Sequence, residues 1–268
     1  WEILANRTVW AVPMALVFVL VARQGREVLA ALRTPRTMAW LTLSAALIAA
    51  NWAIYIWAVN SGRVLETSLG YYINPLLAMA AGALIFNERI DRLGAIAIAL
   101  AAVGVVVQAV AIGGLPLVSL ALAFSFGGYG IVRKRVTASA QAGLLIECLL
   151  LVGPGLAYML WLQNAGLGHL GASPQATAWL LACGPITAVP LVLFSWAARR
   201  IPLSTLGFLQ FIGPTIAFVI GVMQGESFTP LRAASFVFIW GGAAVFAFAA
   251  WRRSRPELRA TAMVEPAE

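Results

Sequence analysis

The sequence predicts an all-α protein that crosses a membrane many times, and three observations support this fold class. Hydrophobic residues make up 62% of the 268 residues and charged residues only 10%, whereas soluble domains are roughly 45–50% apolar and about 25% charged. The apolar residues lie in runs long enough to cross a hydrocarbon core about 30 Å thick. Basic residues cluster in alternate loops between these runs. This amount of apolar surface exceeds what one core can bury, which excludes a soluble globular enzyme.

Nine stretches of the sequence reach the roughly 20 apolar residues that a transmembrane helix needs. They are apolar on every face and lack the two-residue alternation of membrane β-strands, which predicts helices. The predicted spans are about 3–22, 39–59, 66–86, 93–111, 115–132, 142–162, 176–198, 203–224 and 233–251.

The basic residues predict the orientation of these spans. Of the 18 Lys and Arg, fifteen fall in one set of alternating loops, and the other set holds only Arg7, Arg63 and Arg232. Because cytoplasmic loops carry the excess of Lys and Arg, we expect the C-terminal tail to be cytoplasmic and Trp1 to lie on the outer side. The chain lacks an initiator Met and its first residues already enter a span, so a further transmembrane helix is expected before Trp1.

A pattern in the first half of the chain recurs 137 to 139 residues later. It places a Pro inside the third and the eighth predicted spans, which are five crossings apart and therefore run in opposite directions. This predicts two inverted-topology repeats. The expected domains are a first repeat of four helices at 1–112, a second repeat of five helices at 113–252 and a polar tail at 253–268. The matching residues are Trp57-Ala58, Leu69-Gly70 and Pro75, and then Trp196-Ala197, Leu206-Gly207 and Pro214.

Several motifs also occur in a fixed order along most of the chain. They are Asn51-Trp52, Tyr55-Ile56-Trp57-Ala58, Ser68-Leu69-Gly70-Tyr71, Ile73-Asn74-Pro75-Leu76, Val132-Arg133-Lys134 and Leu203-Ser204-Thr205-Leu206-Gly207-Phe208. Their order resembles the RarD branch of the EamA-type drug/metabolite transporters. The resemblance implies a ten-helix bundle of two inverted halves in the bacterial inner membrane, a permease or exporter of small molecules whose first helix is absent from this chain. One position departs from the family pattern, because Asn6 precedes Arg7 where the family has a His.

Charged residues inside predicted spans are candidates for function, because a charge in hydrocarbon is costly and usually faces a cavity or a partner. Glu147 lies inside the sixth span. We predict that its carboxyl group binds and releases protons there and so couples transport to protons. The alternative is that Glu147 reaches the interface or binds an Arg. Arg7 in the first span is expected either to contact an anionic group of the substrate or to pair with Glu66 or Glu2.

Polar residues at helical spacing outline a predicted substrate cavity. The Pro in each repeat removes a backbone donor, so that a carbonyl four residues upstream loses its usual partner. Paired kinks at equivalent positions are typical of a substrate site near the middle of the membrane. The alternative is that the polar residues bond across helices and that the kinks serve packing. The predicted substrate-binding residues are Asn51, Tyr55, Tyr71, Asn74, Ser125, Tyr129 and Gln210, and the kinks are at Pro75 and Pro214.

The other residues that carry chemistry are predicted to be structural. Cys148 and Cys183 lie in apolar runs without metal-ligand spacing and are expected to be small buried hydrophobic residues. His169, the single histidine, is expected in a solvated outer loop. Glu88 and Asp91 flank two arginines of a loop, which predicts local ion pairs.

The predicted function is therefore secondary transport of small amphipathic metabolites or drugs by alternating access, with protons as the candidate coupling ion. The sequence lacks zinc-protease, nucleophile-elbow and P-loop motifs, so neither enzyme activity nor a cofactor is predicted. The net charge of +8 sits in short loop clusters, which argues against a nucleic-acid partner. The predicted partners are a small-molecule substrate, the lipid bilayer and protons. The alternatives are an uncoupled facilitator, a membrane assembly protein and a membrane-embedded lipid enzyme.

Overall fold

The computed structural model describes residues 1–112, 117–223 and 230–262, and these residues are helical with short connections and without strands. The all-α prediction is confirmed. The helices are α1 (Glu2–Val21), α2 (Gly25–Arg33), α3 (Pro35–Asn60), α4 (Val64–Ile85), α5 (Arg92–Ile112), α6 (Leu117–Arg135), α7 (Ala140–Asn164), α8 (Pro174–Ala198), α9 (Leu203–Gln210), α10 (Ile212–Met223) and α11 (Pro230–Ala262).

Every predicted span overlaps a helix, because an apolar segment can satisfy its backbone groups in a membrane only by bonding to itself. Among the described residues, five helices are long and apolar enough to cross a membrane, and two shorter apolar stretches lie at Arg92–Val107 and Ala233–Ala249. The multi-pass membrane class is therefore confirmed, while the count of nine spans stays a prediction. The five are Glu2–Val21, Pro35–Asn60, Glu66–Ile85, Ala140–Asn164 and Pro174–Ala198.

Three elements differ from the sequence prediction. Helix α2 lies where a loop was expected, and its Ala31 is buried. The eighth span is two helices, α9 and α10, which are separated at Phe211. Pro214 follows this break, and since a proline has no N–H for the carbonyl of Gln210, the helical ladder is interrupted there. The last helix continues beyond the expected end of the ninth span to Ala262, and residues 263–268 of the predicted tail lie outside the described residues.

The first of two compact units contains residues 1–63 and 124–201. Helix α1 packs against α7 and α8 in this unit, and small residues permit the close approach. A side chain at Gly184 of α8 would collide with the backbone carbonyl of Trp10 on α1. Buried apolar residues of α1, α3, α7 and α8 form the core, including Ala11, Ile48, Leu144 and Ala188.

The second unit contains residues 64–123 and 202–268. Helix α11 packs along α5, and α9 packs on α4. The core includes Leu69, Met79, Phe208 and Ile239, and the ring of Phe208 stacks on Phe246 with centroids 3.8 Å apart. Each unit combines a segment of the predicted first repeat with a segment of the second. The compact units are therefore not the predicted repeats, and the division into repeats at 1–112 and 113–252 stays a prediction.

Candidate functional site

The first candidate site surrounds Glu147, which is buried in α7 with 2% of its surface exposed. Its Oε1 accepts a hydrogen bond of 2.5 Å from Ser44 Oγ on α3 and lies 3.4 Å from Arg133 Nη1 on α6. Its Oε2 is buried and accepts no hydrogen bond. The structure therefore contains the arginine partner that one of the two interpretations of Glu147 expected. Proton coupling, the other interpretation, stays a prediction.

Arg133 is fully buried, although the sequence analysis counted it among the loop residues. Its Nε donates to Ser195 Oγ at 3.0 Å, and its Nη2 donates to the carbonyl of Ala140 at 3.1 Å. Gly143 makes room for it, since a side chain there would collide with the guanidinium. One signal pointed to this role, because Arg133 follows Tyr129 by one helical turn and so lies on the same face of α6.

Tyr129, predicted to line a cavity, is fully buried and shares a hydrogen bond of 3.1 Å with Ser195 Oγ. Its ring stacks on Phe194 with centroids 5.8 Å apart. The result is a polar cluster inside the first unit that joins four helices. We call Ser44, Tyr129, Arg133, Glu147 and Ser195 the Glu147 cluster.

A small cavity reaches the Glu147 cluster from one side. Its volume is about 10 Å³, and its lining includes Glu147, Thr8, Trp52 and Leu151. This is about the room that one water molecule needs. A larger groove of about 220 Å³ shares Thr8, Trp52 and Leu151 with the small cavity and opens between α1, α3 and α7. The carboxyl group of Glu147 is thus separated from a groove by a few side chains.

Two predicted polar residues of the first unit meet directly. Asn51 Nδ2 donates to Ser125 Oγ at 3.0 Å, which joins α3 to α6. Tyr55, one turn beyond Asn51, is half-buried. The sequence analysis offered two interpretations of these polar residues, contact with a substrate and hydrogen bonding between helices. The bond between Asn51 and Ser125 is of the second kind.

Arg7 lies against α3 and α8 in the first unit. Its Nε donates to Thr187 Oγ1 at 3.0 Å, and its guanidinium carbon lies 4.6 Å from the centre of the Trp52 ring. Glu2, one expected partner of Arg7, accepts hydrogen bonds from the backbone and ring of His169, each at 2.7 Å. The exposed ring of His169 is therefore bound to α1.

Asn6 stands where the family resemblance expects a histidine. It is fully buried. Its Nδ2 donates to the carbonyl of Glu2 at 2.9 Å, and its Oδ1 accepts from Trp10 Nε1 at 3.1 Å. Both hydrogen bonds of the Asn6 side chain are therefore made within its own helix, α1.

The second candidate site lies in the second unit, where two predicted residues meet. Asn74 Nδ2 on α4 donates to Gln210 Oε1 on α9 at 2.6 Å. Asn74 is buried, and its Oδ1 accepts no hydrogen bond. A side chain at Gly207 would stand 2.6 Å from the carbonyl of Pro75, so that α4 and α9 approach closely beside the two amides. We call Asn74 and Gln210 the amide pair.

Other predicted residues of the second unit lie outside the amide pair. Tyr71 is 52% exposed on α4. Glu66 is half-buried, and its carbonyl accepts from Ser119 Oγ at 2.6 Å. Pro75 is buried within the continuous helix α4. Pro214 lies in the first turn of α10, after the break, but its side chain lies outside the described residues.

Glu88 and Asp91 cap helices, a role that the sequence analysis did not predict, while the local ion pairs that it expected stay a prediction. Glu88 accepts hydrogen bonds from the first backbone N–H groups of α9, at Leu203 and Ser204, over 2.6 and 3.0 Å. Asp91 accepts from the N–H of Gly94 at 2.7 Å at the start of α5. Within the described ranges, no group of three or more His, Cys, Asp or Glu is placed to hold a metal ion.

Comparison with known proteins identifies the family. Residues 1–109 match the sequence model of the EamA-like transporter family. A protein named RarD from Escherichia coli (strain K12) is 41% identical over 247 residues, which are 91% of this chain and 83% of that protein. The chain belongs to the RarD branch of the EamA-like transporters. An uncharacterized transporter from Vibrio cholerae is 41% identical over 91% of this chain and 82% of its own.

Two further comparisons concern a more distant relative and the fold. A protein from Pseudomonas aeruginosa that is named chloramphenicol-sensitive protein RarD is 31% identical over 89% of this chain and 81% of its own. A solved crystal structure of a protein with 19% sequence identity superimposes with a TM-score of 0.68 over 94% of this chain and 88% of that one, which shows that the two share a fold. The EamA-like chain is a multi-pass membrane transporter of the bacterial inner membrane.

Proposed function

We propose that this EamA-like protein is a secondary transporter that moves small amphipathic metabolites or drugs by alternating access, without enzymatic activity. The observation that carries the substrate proposal is the amide pair. A buried oxygen without a donor costs about 1–3 kcal/mol, and Asn74 Oδ1 is such an oxygen. A hydroxyl or N–H group of a bound substrate supplies the missing donor.

The surroundings of the amide pair support a ligand rather than simple packing. The break after Gln210 is followed by Pro214, which has no N–H for the backbone carbonyl of Gln210. The Trp and Tyr residues near the predicted cavity suit flat, amphipathic molecules. We keep Tyr71 in the second unit and, separately, Asn51, Tyr55 and Ser125 in the first unit as proposed substrate contacts. Tyr129 instead serves to fix Ser195 in the Glu147 cluster.

We propose that protons drive this transport through Glu147. The carboxylate is balanced by Arg133, whereas its Oε2 lacks a donor. Binding of a proton removes the charge that holds Arg133 and changes the contacts between α6 and α7, which is the kind of two-state element that coupling requires. The rival is an uncoupled facilitator, in which the same ion pair only joins the helices.

Two further features belong to this proposal. The inverted repeats at 1–112 and 113–252 supply two related sets of helices for alternating access. The excess of basic residues in one set of loops supports a cytoplasmic C-terminus. A C-terminal fusion to a reporter that is active only in the cytoplasm tests the orientation, and an inactive reporter in a protein that is correctly inserted would overturn it.

Transport by the purified protein in proteoliposomes tests the substrate proposal. Chloramphenicol is the first probe, because a relative carries this drug in its name and because the drug has an aromatic ring, hydroxyls and an amide N–H. We expect flux that saturates with concentration. Asn74→Ala should raise the half-saturating concentration about 5- to 30-fold, which corresponds to about 1–2 kcal/mol, while Asn60→Ala at the exposed end of α3 should not. If chloramphenicol and a panel of amphipathic drugs all show linear, unsaturable flux, carrier function is overturned.

A further inference from the structure

A second polar cavity lies in the first unit, where α3 begins and α6 ends, away from the Glu147 cluster. Its volume is about 560 Å³. It presents two guanidinium groups, three threonines and one indole, and both arginines are exposed. We call it the arginine cavity. Its lining is Thr34, Arg36, Thr37, Trp40, Arg135, Val136 and Thr137.

The arginine cavity selects for negative charge. None of the described residues that line it is acidic. Two positive charges in one concave site without a carboxylate in its wall favour an anion.

The donors of the cavity fit a phosphate group. A guanidinium group binds two phosphate oxygens through two parallel N–H groups. Arginine is therefore preferred over lysine where a phosphate is bound in this bidentate way. Thr37 and Thr137 share a hydrogen bond between their hydroxyl groups, with the oxygens 3.5 Å apart, and the hydroxyl that accepts this bond keeps its own O–H as one further donor at this point of the lining. The first turn of α3 contributes Arg36 and Thr37, and the partial positive charge at this end of a helix adds to the attraction.

The side chains beyond the arginines become apolar along α3. Trp40 lies one turn after Arg36, and Leu43 follows it with 44% of its surface exposed. Indole rings are enriched at the level of lipid headgroups, and a basic pocket that leads to an apolar helix face matches both parts of a phospholipid. We propose that the arginine cavity binds the phosphate of an anionic phospholipid headgroup, with Arg36 and Arg135 as its principal ligands.

This inference does not rest on the transport proposal and is tested separately. The full chain is purified in detergent and mixed with phosphatidylglycerol or phosphatidylcholine, and the lipids retained are counted by native mass spectrometry. The site variant is Arg36→Gln/Arg135→Gln. The control is Arg23→Gln/Arg26→Gln, which removes the same charge from exposed positions around the start of α2 that do not line the cavity. Size-exclusion chromatography verifies that both variants are folded.

We expect the wild type to retain phosphatidylglycerol in preference to phosphatidylcholine. The site variant should bind phosphatidylglycerol about 25-fold more weakly, roughly fivefold for each arginine, while the control remains close to the wild type. Equal loss in both variants would show a general charge effect and overturn the proposal, as would unchanged binding in the site variant. Inorganic phosphate is added as a competitor. If it displaces phosphatidylglycerol at equal concentration, the cavity recognises a free phosphate and the lipid assignment is wrong.

Discussion

The guanidinium of Arg133 occupies the space that a side chain at position 143 would fill, and Gly143 leaves this space open. Gly143 lies in the first turn of α7, one turn before Glu147, with which Arg133 forms its ion pair. The small residue and the buried cation are therefore parts of one arrangement. A side chain at position 143 would force Arg133 away from its hydrogen bonds with Ser195 and Ala140.

Gly143→Ala should destabilise the protein by about 2–4 kcal/mol, because it overpacks the site and disturbs a buried ion pair. Gly153→Ala is the matched control on the same helix, since a side chain there meets nothing within 4 Å. The control should be neutral or stabilising by about 0.5–1 kcal/mol. Thermal unfolding in detergent measures both variants. Equal midpoints would show that Arg133 moves without cost.

Two neighbouring glycines of α11 should respond differently to the same change. A side chain at Gly242 would lie 2.7 Å from the carbonyl of Ala97 on α5, whereas one at Gly241 meets nothing within 4 Å. Gly242→Ala should cost about 1–3 kcal/mol of stability because the two helices must separate. Gly241→Ala should cost nothing measurable. The close packing of α5 and α11 is contradicted if the two variants unfold together.

Glu147→Gln should abolish the dependence of transport on an imposed pH gradient. Glutamine keeps an oxygen acceptor for Ser44 but carries no titratable proton, so the variant should lose coupling. Because it also leaves the buried Arg133 without its carboxylate, it should be less stable than the wild type, and size-exclusion chromatography verifies that the reconstituted protein is folded. Flux into proteoliposomes with and without a pH gradient measures this effect, with Glu2→Gln at the His169 contact as the control. A pH-driven flux that persists in Glu147→Gln removes the proton role and favours the facilitator.

Glu88→Ala should loosen the start of α9. The carboxylate satisfies two backbone donors, and the loss of such a cap costs about 1–2 kcal/mol. Hydrogen exchange at Leu203 and Ser204 should become about 5- to 30-fold faster, which matches that free energy. Asp91→Ala is the comparison variant and should speed exchange at the start of α5 only. Unchanged protection of Ser204 in Glu88→Ala would show that another group caps α9.

The sequence predicted some contacts of the candidate sites, and the reason is helical periodicity. Asn51 and Ser125 were assigned to polar stripes on separate spans, and their side chains meet at 3.0 Å. Gln210 was predicted as a substrate-binding residue together with Asn74, and the two side chains meet at 2.6 Å. Arg133 was misjudged, because a basic residue at the end of a span is usually exposed to the cytoplasm. Its burial depends on Gly143 and Ser195, which lie in other helices.

Composition and hydropathy alone determined the membrane class and the places where helices form, and the ordered motifs carried the family resemblance. Hydrocarbon forces each apolar segment to satisfy its own backbone groups, so that local sequence decides where helices form. Only the tertiary structure decided the partners of the polar side chains. Glu147 meets Ser44 from 103 residues away, and Glu88 meets Leu203 from 115 residues away. Such pairs arise from the packing of separate helices, which the period of any single helix does not encode.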